Sequence, residues 1–187
     1  MKRCSAIAVV VACSVGAVAH ADYNLQLEFF SAYGGEFQQV TVGDRDTLEG
    51  SLTTVAANFV MTASEGFTSA NDLTVLIAAD LNSDPIIQIG GFTDWGAGFR
   101  YEWPNGASST PGTTGGGDIS IPSIPVTGLK MFVGNGYDGG LTATGTWLGN
   151  VVLFGVDLVV DPGPAIPAPG AIAVLGLAGV FTRRRRR

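Results

Sequence analysis

The sequence predicts an all-β domain, a β-sandwich of about eight to ten strands of jelly-roll or immunoglobulin-like type. Three observations point there. Glycine supplies 22 of the 140 residues from 22 to 161, about twice its ordinary share of roughly 7%. It falls in pairs and clusters: Gly34-Gly35, Gly90-Gly91, Gly115-Gly116-Gly117 and Gly139-Gly140. Between them lie short apolar or alternating runs, with no long helical period and no fixed repeat, as expected of many short strands joined by turns. At 140 residues the stretch can bury about two-thirds of its unfolded surface, so residues 22–161 are read as one domain.

The strands follow in order. Leu25, Leu27 and Phe29 alternate with Gln26 and Glu28, giving a half-buried strand that stops near Gly34-Gly35. Phe37 to Val42 makes the next, closed by Gly43-Asp44. From Leu52 to Ala63 the period is again two, through Ala57, Phe59, Met61 and Ala63; Thr53, Thr54, Val55 and Val60 favour a strand over a helix. Leu73 to Ala79 is apolar at every position but Thr74 and fits a central strand covered on both faces. Ile86 to Ile89 follows, then Phe99, Tyr101 and Trp103, which alternate with Arg100 and Glu102 and are expected in the core. Asn105 to Asp118 reads as a long glycine-rich loop. Ile119 to Ile121, fenced by Pro122 and Pro125, reads as an edge strand, because proline cannot donate to a ladder. Val126–Val133, Leu141–Trp147 and Val151–Val160 complete the set, with Trp147 expected to be buried.

Both ends carry export signals. Lys2 and Arg3 precede an apolar core from Ala6 to Val18 and a small-x-small site at Ala19-His20-Ala21. This is a secretory signal peptide over residues 1–21, cut by signal peptidase so that the mature chain starts at Asp22. Val10-Val11-Ala12-Cys13 also satisfies a lipobox, which would lipidate Cys13; against it, the apolar stretch before Cys13 is short and continues to Val18. At the other end, residues 162–169 form a proline-rich stiff linker, and 170–187 hold an apolar segment closed by Arg183, Arg184, Arg185, Arg186 and Arg187. A helix from Gly170 to Thr182 would reach about 20 Å, short of the roughly 30 Å hydrocarbon core. The arginines should stay on the cytoplasmic side and hold the chain in transit.

The break Pro167-Ala168-Pro169-Gly170, the short apolar run and the arginine terminus together resemble the PEP-CTERM sorting tail that bacterial exosortases recognise. The resemblance covers residues 167–187 alone. Ala168 stands where the family motif has glutamate. It implies an exosortase-like membrane enzyme as partner, transient anchoring in the inner membrane, and delivery to the cell surface or extracellular matrix, where such proteins accompany exopolysaccharide. A plain short anchor and a disordered basic tail are the simpler alternatives.

Cleavage at Ala21 strips the chain of chemistry, since Cys4, Cys13 and His20 are its only cysteines and histidine. The mature protein then has no disulfide, no Cys/His zinc site, no Ser-His-Asp triad and no thiol nucleophile. All sixteen acidic residues lie between 22 and 161 against Arg45, Arg100 and Lys130, which leaves the body at −13. Such a surface repels nucleic acid and suits solubility or cation binding.

Three places could carry chemistry. Asp80-Leu81-Asn82-Ser83-Asp84 sets oxygen donors at alternate positions, Asp80, Asn82 and Asp84, which could converge on calcium; Asx-rich turns look the same without metal. Gly134 to Gly140 is a loop holding Tyr137 and Asp138. Trp95, with the aromatics that follow it, could stack on sugar rings while nearby Asp or Asn groups take their hydroxyls, which makes Trp95, Tyr137 and Asp138 the candidate glycan-binding residues. Catalysis would need paired carboxylates, and no motif marks such a pair. The leading expectation is therefore a non-enzymatic surface or matrix protein with a structural or adhesive role. A carbohydrate-binding module with a calcium-stabilised loop is the rival, and a small glycan-active enzyme comes third.

Overall fold

The computed structural model describes residues 23–40 and 47–158. The expected signal peptide with its Ala19, Ala21 and Asp22 cleavage site, the expected Gly43-Asp44 turn and proline-rich linker, Pro167 to Gly170 and the arginine terminus lie outside the described residues. Regular structure within them is β throughout apart from two single 3-10 turns, Ala70–Asp72 and Gly140–Thr142. The strands are β1 (Tyr23–Tyr33), β2 (Phe37–Gln39), β3 (Leu48–Glu65), β4 (Leu73–Ala78) and β5 (Ile87–Ile89). They continue with β6 (Phe99–Tyr101), β7 (Thr114–Pro125), β8 (Lys130–Asn135) and β9 (Thr144–Leu158).

The strands form two sheets, one of four in the order β1-β9-β3-β7 and one of five in the order β2-β8-β4-β5-β6. Every pair is antiparallel except β5 with β6. The pairings are nested: first with last (β1 with β9), then β2 with β8, β3 with β7 and β4 with β5. One long hairpin has been folded over, and the contacts β3–β9 and β4–β8 join its halves into the two sheets. The sheets face each other across a single core, with Val55, Phe59, Met61 and Val151 on one side and Val75, Ile77, Ile89 and Met131 on the other. This is a two-sheet, sandwich-type arrangement.

β4 is buried at all six positions, apolar except for Thr74, whose hydroxyl donates to the Asp72 carbonyl at 2.9 Å. β3 buries Val55, Ala57, Phe59 and Met61 with period two. β7 is the edge strand that Pro122 and Pro125 predict. Trp147 and Trp103 are buried, and each donates its indole N–H to a backbone carbonyl, Trp147 to Ala70 at 2.9 Å and Trp103 to Leu73 at 2.7 Å.

Four expectations fail for local reasons. A bulge between Leu27 and Phe30 reverses the alternation of β1, so Phe29 turns outward (65% exposed) and Ala32 takes the core face. Phe99 is also exposed, because β6 is a three-residue edge strand with too little length to bury a face; Tyr101 is half-buried against the core, and Trp103, beyond the strand's end, is buried in it. The expected loop from Asn105 to Asp118 is strand from Thr114 onward. There Gly115 pairs with Phe59, and a Cβ at Gly115 would run into the Phe59 ring, so the glycine makes room for a core aromatic and marks no turn. The two expected last strands are one continuous strand, β9, in which Gly149 lies against the Asn58 carbonyl too closely for any side chain.

Candidate functional site

The outer face of the five-stranded sheet carries a second, smaller apolar cluster. Leu76 and Ala78 of β4 and Phe132 of β8 are nearly buried there, and Phe37 of β2 and Trp95 pack over them. They bound a cavity of about 460 Å³ whose rim is the Asp80–Pro85 turn. Trp95 meets Phe37 edge-on, with centroids 5.2 Å apart and planes at 86°.

Trp95 is held in place by a residue with no conspicuous sequence signal. Gln88, fully buried on β5, donates through Nε2 to the carbonyls of Gly90 and Thr93 at 3.1 and 2.8 Å. Its Oε1 accepts the Trp95 backbone N–H at 3.0 Å. One amide thus closes the whole 90–95 loop. The side chain of Trp95 is treated differently from its relatives: it is half-buried, and its Nε1 is buried without a hydrogen-bond partner. Of the three tryptophans in the chain, two are tied to backbone and this one is not.

The expected site residues partly converge. Asp138 joins Trp95 at Gly35: a Cβ placed there would lie 3.4 Å from Trp95 Cη2 and 3.9 Å from Asp138 Oδ1. Asp80, Asn82 and Asp84 all sit on the rim of the same cavity. Their turn is closed by its own groups, since Asn82 N–H donates to Asp80 Oδ1 at 2.8 Å and Ser83 Oγ donates to the Asp80 carbonyl at 2.9 Å. One Asp80 oxygen is committed to the turn. Among the described residues no three His, Cys, Asp or Glu side chains gather at metal-binding distance.

Tyr137 goes elsewhere. It lines a second cavity of about 620 Å³ together with Phe67, Asp72, Phe92, Arg100 and Trp103. Its ring lies 6.0 Å from that of Phe92 at 57°. Asp72, at the end of the first 3-10 turn, is 3% exposed and accepts the Ser69 backbone N–H at 2.7 Å. Burial pushes its carboxyl above the usual range, against the pull of backbone hydrogen bonds from Ser69 and Phe92. Arg100 donates to the Gly91 and Phe92 carbonyls at 3.1 and 3.0 Å and faces Glu102 at 4.0 Å.

Phe37, Leu76, Phe132 and Gln88 are site residues that the sequence reading missed, as are Phe67, Asp72 and Phe92. The unbroken burial of β4 hinted that something covers the outer face of its sheet, but no sequence signal named Phe37 or Trp95 as the cover. No family model, no curated protein and no solved structure matches the chain. Among the described residues no helix is long and apolar enough to cross a membrane.

Proposed function

We propose that this is an exported surface or extracellular-matrix protein whose body adheres to polysaccharide through the Trp95 cavity. The observation that carries the reading is the contrast among the tryptophans: Trp103 and Trp147 are hydrogen-bonded core anchors, while Trp95 is half-buried and unpaired above an apolar base. An aromatic face flanked by carboxylates and an amide suits a sugar ring, whose C–H face stacks and whose hydroxyls need acceptors. Asp80, Asn82, Asp84 and Asp138 supply those acceptors around Trp95. The nested strand pairing supports the jelly-roll form over the immunoglobulin-like one.

The signal peptide over residues 1–21 and the exosortase-type tail over 167–187 are the route proposed for delivery to the surface, and the matrix exopolysaccharide is the natural ligand in that setting. The reading is of a binder and not of an enzyme. A printed array of linear oligosaccharides of glucose, mannose, galactose and N-acetylglucosamine tests it. The protein should bind at least one series and release no new reducing ends from it, and Trp95→Ala should abolish the binding while retaining the melting transition. Undiminished binding by Trp95→Ala would reject the site.

A further inference from the structure

The two cavities share the 90–95 loop: Gly90, Gly91 and Phe92 line the larger and Trp95 lines the smaller, while the 135–138 segment places Tyr137 in the larger. Thr93 lies between them: its backbone N–H donates to the Gly136 carbonyl at 2.8 Å, and its Oγ1 accepts the Asp138 N–H at 3.1 Å. On one side of this seam Phe92 and Tyr137 line the larger cavity; on the other Trp95 lines the smaller one, with the Asp138 carboxylate beside it at Gly35. Phe92 and Trp95 are three residues apart, so their Cα atoms are separated by at most about 11 Å. The loop is fixed from both ends, by Gln88 at Trp95 and by Arg100 at the Gly91 and Phe92 carbonyls.

The larger cavity also exposes aromatics that a folded monomer ordinarily buries. Phe92 is 74% exposed and Phe67 83%, and Phe67 holds a left-handed backbone with φ of 69°. An aromatic held in that conformation and turned to solvent is the kind of strain that collects at binding sites. The lining also holds polar side chains, with Ser69, Asn71, Arg100 and Glu102 set among the rings. Rings alternating with hydrogen-bonding groups fit a ligand that is itself apolar on its faces and polar at its edges.

We infer that the two cavities are subsites for one linear polysaccharide chain that crosses the Thr93 seam, with Trp95 stacking on one sugar and the Phe92–Tyr137 pair on another. This rests on the carbohydrate reading of the Trp95 cavity and adds the ligand's form: a chain longer than a single sugar unit, bound by its interior. Two linked contacts reinforce each other once the linker spans both, so affinity must climb with chain length.

The test measures affinity for linear oligosaccharides graded in length, from the series the array identifies, using the full-length protein. Wild type should gain about tenfold or more when the chain becomes long enough to reach both sites, the usual scale for an aromatic anchor. Phe92→Ala, which removes an exposed ring and leaves the core intact, should keep the short-chain affinity and lose the gain. Affinity independent of length in wild type, or a gain retained in Phe92→Ala, overturns the bridging while the Trp95 reading stands. Binding unchanged in Trp95→Ala, or no oligosaccharide bound, removes that reading and the bridging with it.

Discussion

A buried indole N–H without a partner costs about 1–3 kcal/mol, and Trp95 alone among the three tryptophans is left in that position. Departures of this kind tend to mark places where something other than stability was selected. Asp72 is another such residue. Because burial raises its pKa, the folded chain holds this proton more tightly than the unfolded chain does. Its contribution to stability is therefore fully present below the ordinary carboxylate value of 3.8 and is lost as pH rises through the raised one. Asp72→Asn keeps the oxygen that accepts from Ser69 and removes the titration. Urea unfolding across a pH series should show the difference between wild type and Asp72→Asn growing in the variant's favour over that window. A constant difference would refute the assignment. Gly115 acts through space. Gly115→Ala sets a methyl against the Phe59 ring and should lower stability by about 1–3 kcal/mol, read as a lower urea midpoint at unchanged slope; an unchanged midpoint would mean that Phe59 is free to move.

At the scale of elements, the strands most legible in the sequence are those whose pattern serves one task. β4 is apolar at every position but Thr74 because both its faces are covered, and the middle of β3 alternates because one face is. β7 and β9 were harder to read, because Gly115 and Gly149 look like turns in a sequence and serve as gaps in the structure; what they make room for is distant in the chain. The same limit governs the site. Trp95, Asp138 and the Asp80–Asp84 rim were visible as residue types, but alternation says which face points inward and is silent about what covers the outer face. Phe37 and Phe132 therefore carried no signal, and Gln88 acts through three hydrogen bonds that only the folded loop defines. The rim turn is closed by its own side chains, so melting curves in calcium and in chelator should coincide. A higher melting temperature in calcium than in magnesium would instead give Asp80, Asn82 and Asp84 a cation to hold.

For the whole molecule, a body of charge −13 is followed by a short apolar run and five arginines. The proposed sorting predicts that mature surface protein lacks the segment after the Pro167-Ala168-Pro169 break. Mass spectrometry of C-terminal peptides from native cells checks this, and an intact Ala165-to-Phe181 peptide as the main species would mean a plain anchor. Export is the proposed route to where the protein works, and the Trp95 cavity is proposed as how it works there. The central claim is that one tryptophan meets a sugar while two hold the core. Indole N–H resonances of nitrogen-15-labelled protein report on all three at once. During titration with the shortest oligosaccharide that binds, too short to reach the larger cavity that Trp103 lines, the Trp95 signal should shift, identified by its disappearance in Trp95→Phe, while those of Trp103 and Trp147 stay in place. A shift confined to Trp103 or Trp147, or none at saturating ligand, would contradict the account.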